Sequence, residues 1–154
     1  NKGKLIGIPD IMAEHWKEYG RDYYCRYDYE DLNNDQAAKV KENLTKNIDM
    51  WNKMKEGNEA KIFEYNDPVD HSVSKNQGWI FKYKNGSRII FRFSGTSSAG
   101  ATVRIYFEKH VEPDGNLFAD VADVIKEGEN FPEMAVKLSD IHNVAGRTGP
   151  TVIT

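Results

Sequence analysis

The chain is poor in several things that would each have pointed to a class of protein. It has one cysteine in 154 residues, Cys25, so an internal disulfide framework of the kind that staples small secreted domains is excluded. No apolar run reaches bilayer length, and the opening residues NKGKLIGIPDIM lack the continuous apolar core of a signal peptide. The expectation is a cytoplasmic protein with no membrane insertion. Excess positive charge is also missing. Lys and Arg number 21 against 24 Asp and Glu, a formal net charge of -3, and no basic stripe interleaves with aromatics, so nucleic acid is not an expected partner. Internal repeats and low-complexity segments are absent.

What is present is enough for one core: 39% hydrophobic residues, with 3 Trp, 8 Tyr and 7 Phe. PDIMAEHWKEYG sets Ile11, Met12, His15, Trp16 and Tyr19 at helical spacing between Pro9 and Gly20. RDYYCRYDYEDL alternates Tyr23, Cys25, Tyr27 and Tyr29 against a charged face, the pattern of a half-buried strand. In the next segment Ala37, Val40, Leu44, Ile48 and Trp51 form one stripe, predicting a long helix that opens at cap-forming Asn and Asp and stops at Gly57. AKIFEYND, GWIFKYK, SRIIFRF and ATVRIYFEKHV read as strands, with Asn85-Gly86 a hairpin signal. From Asn116 the spacing turns helical again through Leu117, Phe118, Val121, Val124 and Ile125, and resumes at Met134. This order predicts an α+β fold, an antiparallel meander sheet covered by helices on one face.

The stretch that carries chemistry is RIIFRFSGTSSAGATVRIYF, 88–107. Alternation puts Ile89, Phe91 and Phe93 on the core side and Arg92 on the other; across the loop Arg104 leaves the core side as well. Two guanidiniums, hydroxyl side chains and glycine-freed backbone N–H groups then meet in one small volume, which is what a doubly charged phosphate requires. No Lys follows the glycines and no helix opens after them, so this is not a Walker loop. Residues alone leave open a solvated loop whose arginines balance nearby acids.

Elsewhere the readings are plainer. Asp67, Asp70 and His71 lie in Asn-Asp-Pro and Asp-His-Ser runs, which are turn chemistry before they are a metal or acid–base cluster. His15, His110 and His142 lack paired ligands at zinc spacing. Cys25 reads as a small core residue and the tyrosines of YYCRYDY as sheet packing, with Arg26 kept as a further candidate on the charged face.

RFSGTSSAGATVRIY resembles the C-terminal phosphate-binding loop of the α-D-phosphohexomutase family, in particular its eukaryotic phosphoglucomutase and parafusin branch. DIMAEHWKEYGRDYYCRYDYED, FEYNDPVDHSVSKNQGWIF and the terminal GRTGPTVIT resemble the same family. The resemblance implies a TATA-binding-protein-like C-terminal domain over 21–154, with 1–20 the helical end of the preceding domain or a linker. It implies substrate-phosphate contacts at Arg92, Ser94, Gly95, Thr96, Ser98 and Arg104, and no catalytic or metal-binding residue on this stretch. Ser97 stands where the commoner family sequence has glycine. The phosphoserine, metal and sugar-recognition loops of the family do not occur here. Mg²⁺ and glucose 1,6-bisphosphate are therefore implied for a full-length parent, with none bound by this fragment, whose partners would be a sugar phosphate and the upstream domains. The expected function is the phosphate clamp of a mutase interconverting glucose 1-phosphate and glucose 6-phosphate. The alternative is a parafusin-like trafficking or scaffold phosphoprotein that retains the cradle. Composition of the loop, 94–100, adds the expectation of a movable clamp.

Overall fold

The computed structural model describes residues 6–95 and 100–154; Thr96, Ser97, Ser98 and Ala99, and with them the expected loop clamp, lie outside the described residues. Helix α1 (Ile8–Tyr19) precedes strand β1 (Arg21–Leu32) and the long helix α2 (Asn34–Met54). Four strands follow, β2 (Glu59–Asn66), β3 (Val73–Lys82), β4 (Arg88–Ser94) and β5 (Ala101–Val111). Three short helices, α3 (Val121–Val124), α4 (Phe131–Ser139) and α5 (Ile141–Ala145), lead to a two-residue strand β6 (Val152–Ile153).

The described strands form one six-stranded sheet in the order β2-β3-β4-β5-β1-β6, and each pairing is antiparallel. From β2 to β5 this is the expected meander. β1 closes on β5 after the α2 excursion because its tyrosine face completes the apolar surface begun by β4 and β5. Tyr23, Tyr29, Ile89, Phe91, Val103, Ile105 and Phe107 are all essentially inaccessible on that side.

Helix α2 lies over this face. Asn33 caps it by accepting from Gln36 N at 2.8 Å, while Gln36 Oε1 accepts from Asn33 N at 2.9 Å, a reciprocal box that satisfies two helix-start donors. Its stripe delivers Ala37, Val40, Leu44 and Trp51 to the core. Trp51 is fully buried edge-on to Phe81 and Tyr83, and its Nε1 donates to Lys82 O at 3.1 Å. Helices α4 and α5 seal the same face with Phe131, Ala135, Leu138 and Ile141.

Three elements differ from the expectation. The β3 strand starts at Val73 instead of Gly78, because Ser74 and Val73 continue the backbone ladder against Tyr65 and Asn66. Those residues are exposed, so no alternation marks them. The first part of the helical pattern, 116–125, yields only α3: Asp120 accepts from Ala122 N at 2.8 Å and starts the helix there. Phe118 instead stands outside it, 61% exposed, against the edge of Trp16. Strand β6 was not expected at all.

Candidate functional site

The site grows from the register of β4, β5 and β1. Arg92 pairs directly with Arg104, and Arg104 with Asp28 on the next strand. Side chains in one such row share a sheet face, so two cations and a carboxylate stand side by side on the face that the helices leave open. One step nearer the loop, Ser94 pairs with Thr102.

Gly95 and Gly100 form the neck of the loop, at φ 84° and 104°. A Cβ on Gly95 would sit 2.9 Å from the carbonyl oxygen of Gly100, and one on Gly100 would sit 3.3 Å from that of Leu32. Only glycine brings the two sides of the loop this close. The neck is seated on β1 where its register with β5 shifts between Tyr29 and Leu32 and Asp31 takes φ 60°. Of the sequence-predicted site residues, the structure brings Arg92, Ser94, Gly95 and Arg104 to one end of the open face. Thr96 and Ser98 lie outside the described residues.

The electrostatics of the row are uneven. Among the described residues Arg92 makes no ion pair and is exposed, whereas Arg88, two residues earlier on the same face, is held by Glu108 at 2.6 Å. Asp28 is 5% exposed and accepts from Arg26 Nε at 2.9 Å. Its other oxygen lies 3.9 Å from Arg104 Nε, a buried donor without a hydrogen-bond partner among the described residues. A depression of about 720 Å³ continues along the open face from Arg92 and Arg26 over Ile80, Ile90 and Tyr106. This row suits an anion: Arg92 and Arg104 stand beside a single carboxylate, Asp28, which is already engaged by Arg26. The same arrangement is wrong for a divalent cation, and among the described residues no group of three His, Cys, Asp or Glu could hold a metal.

Sequence reasoning placed Asp28 on the charged face of its strand but gave it no role. Its signal is relational: only the register shows that it faces Arg104 from one side and Arg26 from two residues away.

The remaining candidates take ordinary roles. Asp67 accepts from Val69 N and Asp70 N, and Asp70 from Ser72 N, so both cap turns; the backbone bonds hold the Asp67 carboxyl below the usual range, and the Ser72 hydroxyl, then its N–H, does the same for Asp70. His110 meets Asp22 at 2.7 Å, and His142 meets the Tyr29 hydroxyl at 3.1 Å. Burial pushes the Cys25 thiol up, away from nucleophilic reactivity.

Comparison with known proteins bears on the whole of this geometry. The chain matches the family model described as phosphoglucomutase-1, C-terminal domain, over residues 21–151. It is 43% identical over its full length to phosphoglucomutase-2 of Paramecium tetraurelia, covering 26% of that protein. It is 40% identical to the cytoplasmic phosphoglucomutase of Solanum tuberosum, with 99% of this chain and 28% of the relative covered. The crystal structure of the exocytosis-sensitive phosphoprotein parafusin, a phosphoglucomutase from Paramecium in its open form, superposes with a TM-score of 0.91 at 42% identity, over 100% of this chain and 26% of that one. The chain thus spans about a quarter of the length of the relatives it matches. A six-stranded antiparallel sheet with its helices on one face, arginines paired across β4 and β5, and this likeness over the full length lead to one conclusion: the chain belongs to the phosphoglucomutase C-terminal domain family.

Proposed function

We propose that the chain is the substrate-phosphate-binding domain of a phosphoglucomutase that interconverts glucose 1-phosphate and glucose 6-phosphate. Arg92 and Arg104 grip the phosphate, Ser94, Thr96 and Ser98 donate hydroxyls, and Gly95 lets the backbone approach. The observation that carries this reading is the direct cross-strand pairing of Arg92 with Arg104 beside a glycine-necked loop. Like charges in register oppose folding, and an anion between them removes the conflict.

The domain contributes position. Energy from holding the phosphate that does not react fixes the sugar against the phosphorylating group elsewhere in the parent chain and lowers the entropic part of the barrier. A clamp carried on its own domain also closes the cleft against water. Residues 21–154 form this domain, and 1–20 the helical end of the one before it, in keeping with an α1 that buries none of its own residues. Mg²⁺ and glucose 1,6-bisphosphate belong to the upstream domains, whose loops this chain does not contain. The setting is the cytoplasm, in keeping with the name of the Solanum relative; among the described residues no helix is long and apolar enough to cross a membrane.

The test is Arg92→Ala and Arg104→Ala in the full-length parent. Each lowers kcat/KM by about 10- to 100-fold, the equivalent of roughly 1.5–3 kcal/mol for a hydrogen bond to a charged group. Arg→Lys recovers only part, since a point charge lacks the planar fork. Wild-type kcat/KM in both alanine variants would end this reading. A second reading is favoured by the likeness to an exocytosis-sensitive phosphoprotein: the parent serves trafficking and keeps the cradle for regulation. Absence of mutase turnover in a parent that still binds glucose 1-phosphate would select it.

A further inference from the structure

The arginine pair is not self-supporting. Arg104 stands opposite another arginine, and a flexible cation so placed swings away from its neighbour unless something holds it. The one carboxylate in its row is Asp28, whose side chain is 7% exposed and whose backbone is fixed on its far side by Thr151, which donates both its N–H and its hydroxyl to Asp28 O at 2.8 Å. One Asp28 oxygen is occupied by Arg26 Nε at 2.9 Å. The second points toward Arg104 Nε at 3.9 Å, and among the described residues that buried nitrogen has no hydrogen-bond partner. A buried donor and a buried acceptor that stop short of contact form a joint that a small side-chain rotation closes.

We propose that Asp28 is the positioning residue of the anion site: anchored by Arg26, it takes up the Nε of Arg104 and so leaves both terminal nitrogens of that guanidinium for the phosphate. The inference rests on the phosphate-clamp reading above. A carboxylate engaged at Nε orients the guanidinium plane without competing for the two nitrogens that make a bidentate contact. Arg26 has a separate job. It satisfies the carboxylate from the other side, so that Asp28 does not fold over Arg104 and neutralise it. Asp28 touches no substrate itself.

The experiment is a double-mutant cycle in the full-length protein, read as the Kd of glucose 1-phosphate by calorimetry, with thermal unfolding as the check on folding. Arg104→Ala weakens binding by tenfold or more. Asp28→Asn, equal in shape but uncharged, weakens it by about tenfold, one charge-assisted hydrogen bond. Because Asp28 acts through Arg104, the double variant binds no worse than Arg104→Ala alone. Asp28→Glu restores part of the affinity, and it replaces Asp28→Asn in the cycle should that variant fail to fold. Penalties that multiply in the double variant, or normal binding by folded Asp28→Asn, overturn the positioning role while leaving the clamp in place. Unchanged binding by Arg104→Ala overturns the clamp itself, and the inference with it.

Discussion

Arg92 is the residue whose loss separates a binding site from a structural ion pair most cleanly. It is exposed, faces Arg104 across the β4–β5 ladder, and makes no ion pair among the described residues. Two unit charges about 7 Å apart in a water-like medium repel by about 0.6 kcal/mol, and cross-strand pairs of like charge fall in the range of about 0.2–1 kcal/mol. Arg92→Ala in this chain therefore leaves stability unchanged or raises it by up to about 1 kcal/mol, an upward Tm shift of at most about 4 °C for a chain of this size. The gain shrinks as salt rises from 0.02 to about 0.5 M, because the Debye length falls from roughly 20 Å to a few ångströms. It also reverses when inorganic phosphate is added, since the wild type binds the anion better and is stabilised by that binding. Urea unfolding at two salt concentrations, with and without phosphate, measures all three effects. A loss of more than about 1 kcal/mol that ignores salt would mean that Arg92 packs or pairs structurally, and the argument from repulsion would be refuted.

Other outcomes follow from the same structure. Gly78→Ala destabilises by about 1–3 kcal/mol by overpacking, because a Cβ there meets the Phe63 ring and the Phe91 carbonyl oxygen, each at 2.6 Å; thermal melts measure it. Burial pushes the Tyr29 hydroxyl up to about 12, so its contribution to stability is complete below pH 10 and is lost as the pH climbs from 10 toward 12. Unfolding followed by tyrosinate absorbance sets in over that window, and Tyr29→Phe moves the onset upward. Purified by itself, the chain shows no turnover of either glucose phosphate in a coupled assay.

How much of this was legible beforehand depended on whether the information was local. The α2 stripe and the alternation of β1, β4 and β5 are written in consecutive residues, because burial on one side imposes the periodicity directly. That Arg92, Ser94 and Arg104 leave the core side beside one loop was legible for the same reason, whereas Gly95 came from the resemblance alone. Asp28 was not, since its meaning comes from a strand pairing between residues 76 positions apart. Nor was the start of β3, whose residues face solvent on both sides and carry no pattern. Phe118 has helical spacing from its apolar neighbours, yet a cap at Asp120 and the ring of Trp16 decided its place.

The short strand β6 escaped the pattern because two residues have no periodicity, yet it is tied to the part of β1 on which the site depends. Arg26 N donates to Thr154 O at 2.7 Å and Thr154 N to Arg26 O at 3.0 Å, while Thr151 N donates to Asp28 O at 2.8 Å. The backbone of Arg26 and Asp28 is thus held between β5 and the last residues of the chain. Deleting 151–154 turns β1 into an open edge and leaves these groups to water. At about 0.5–1.5 kcal/mol per bond, and nearer the low end because this edge is partly solvated, the deletion costs about 2 kcal/mol. The functional effect is more selective. With their backbone released, Arg26 and Asp28 no longer hold Arg104 in one orientation, so anion binding weakens while the core, which lies on the other face, keeps its packing. Hydrogen exchange resolves the two levels: the amides of Arg26 and Glu30, which donate to Thr154 O and Thr151 Oγ1, lose protection, while those of Ile89, Phe91 and Ile105 keep it. Equal loss across all of them would mean that the terminal strand supports the whole sheet, and its particular link to the site would have to be abandoned.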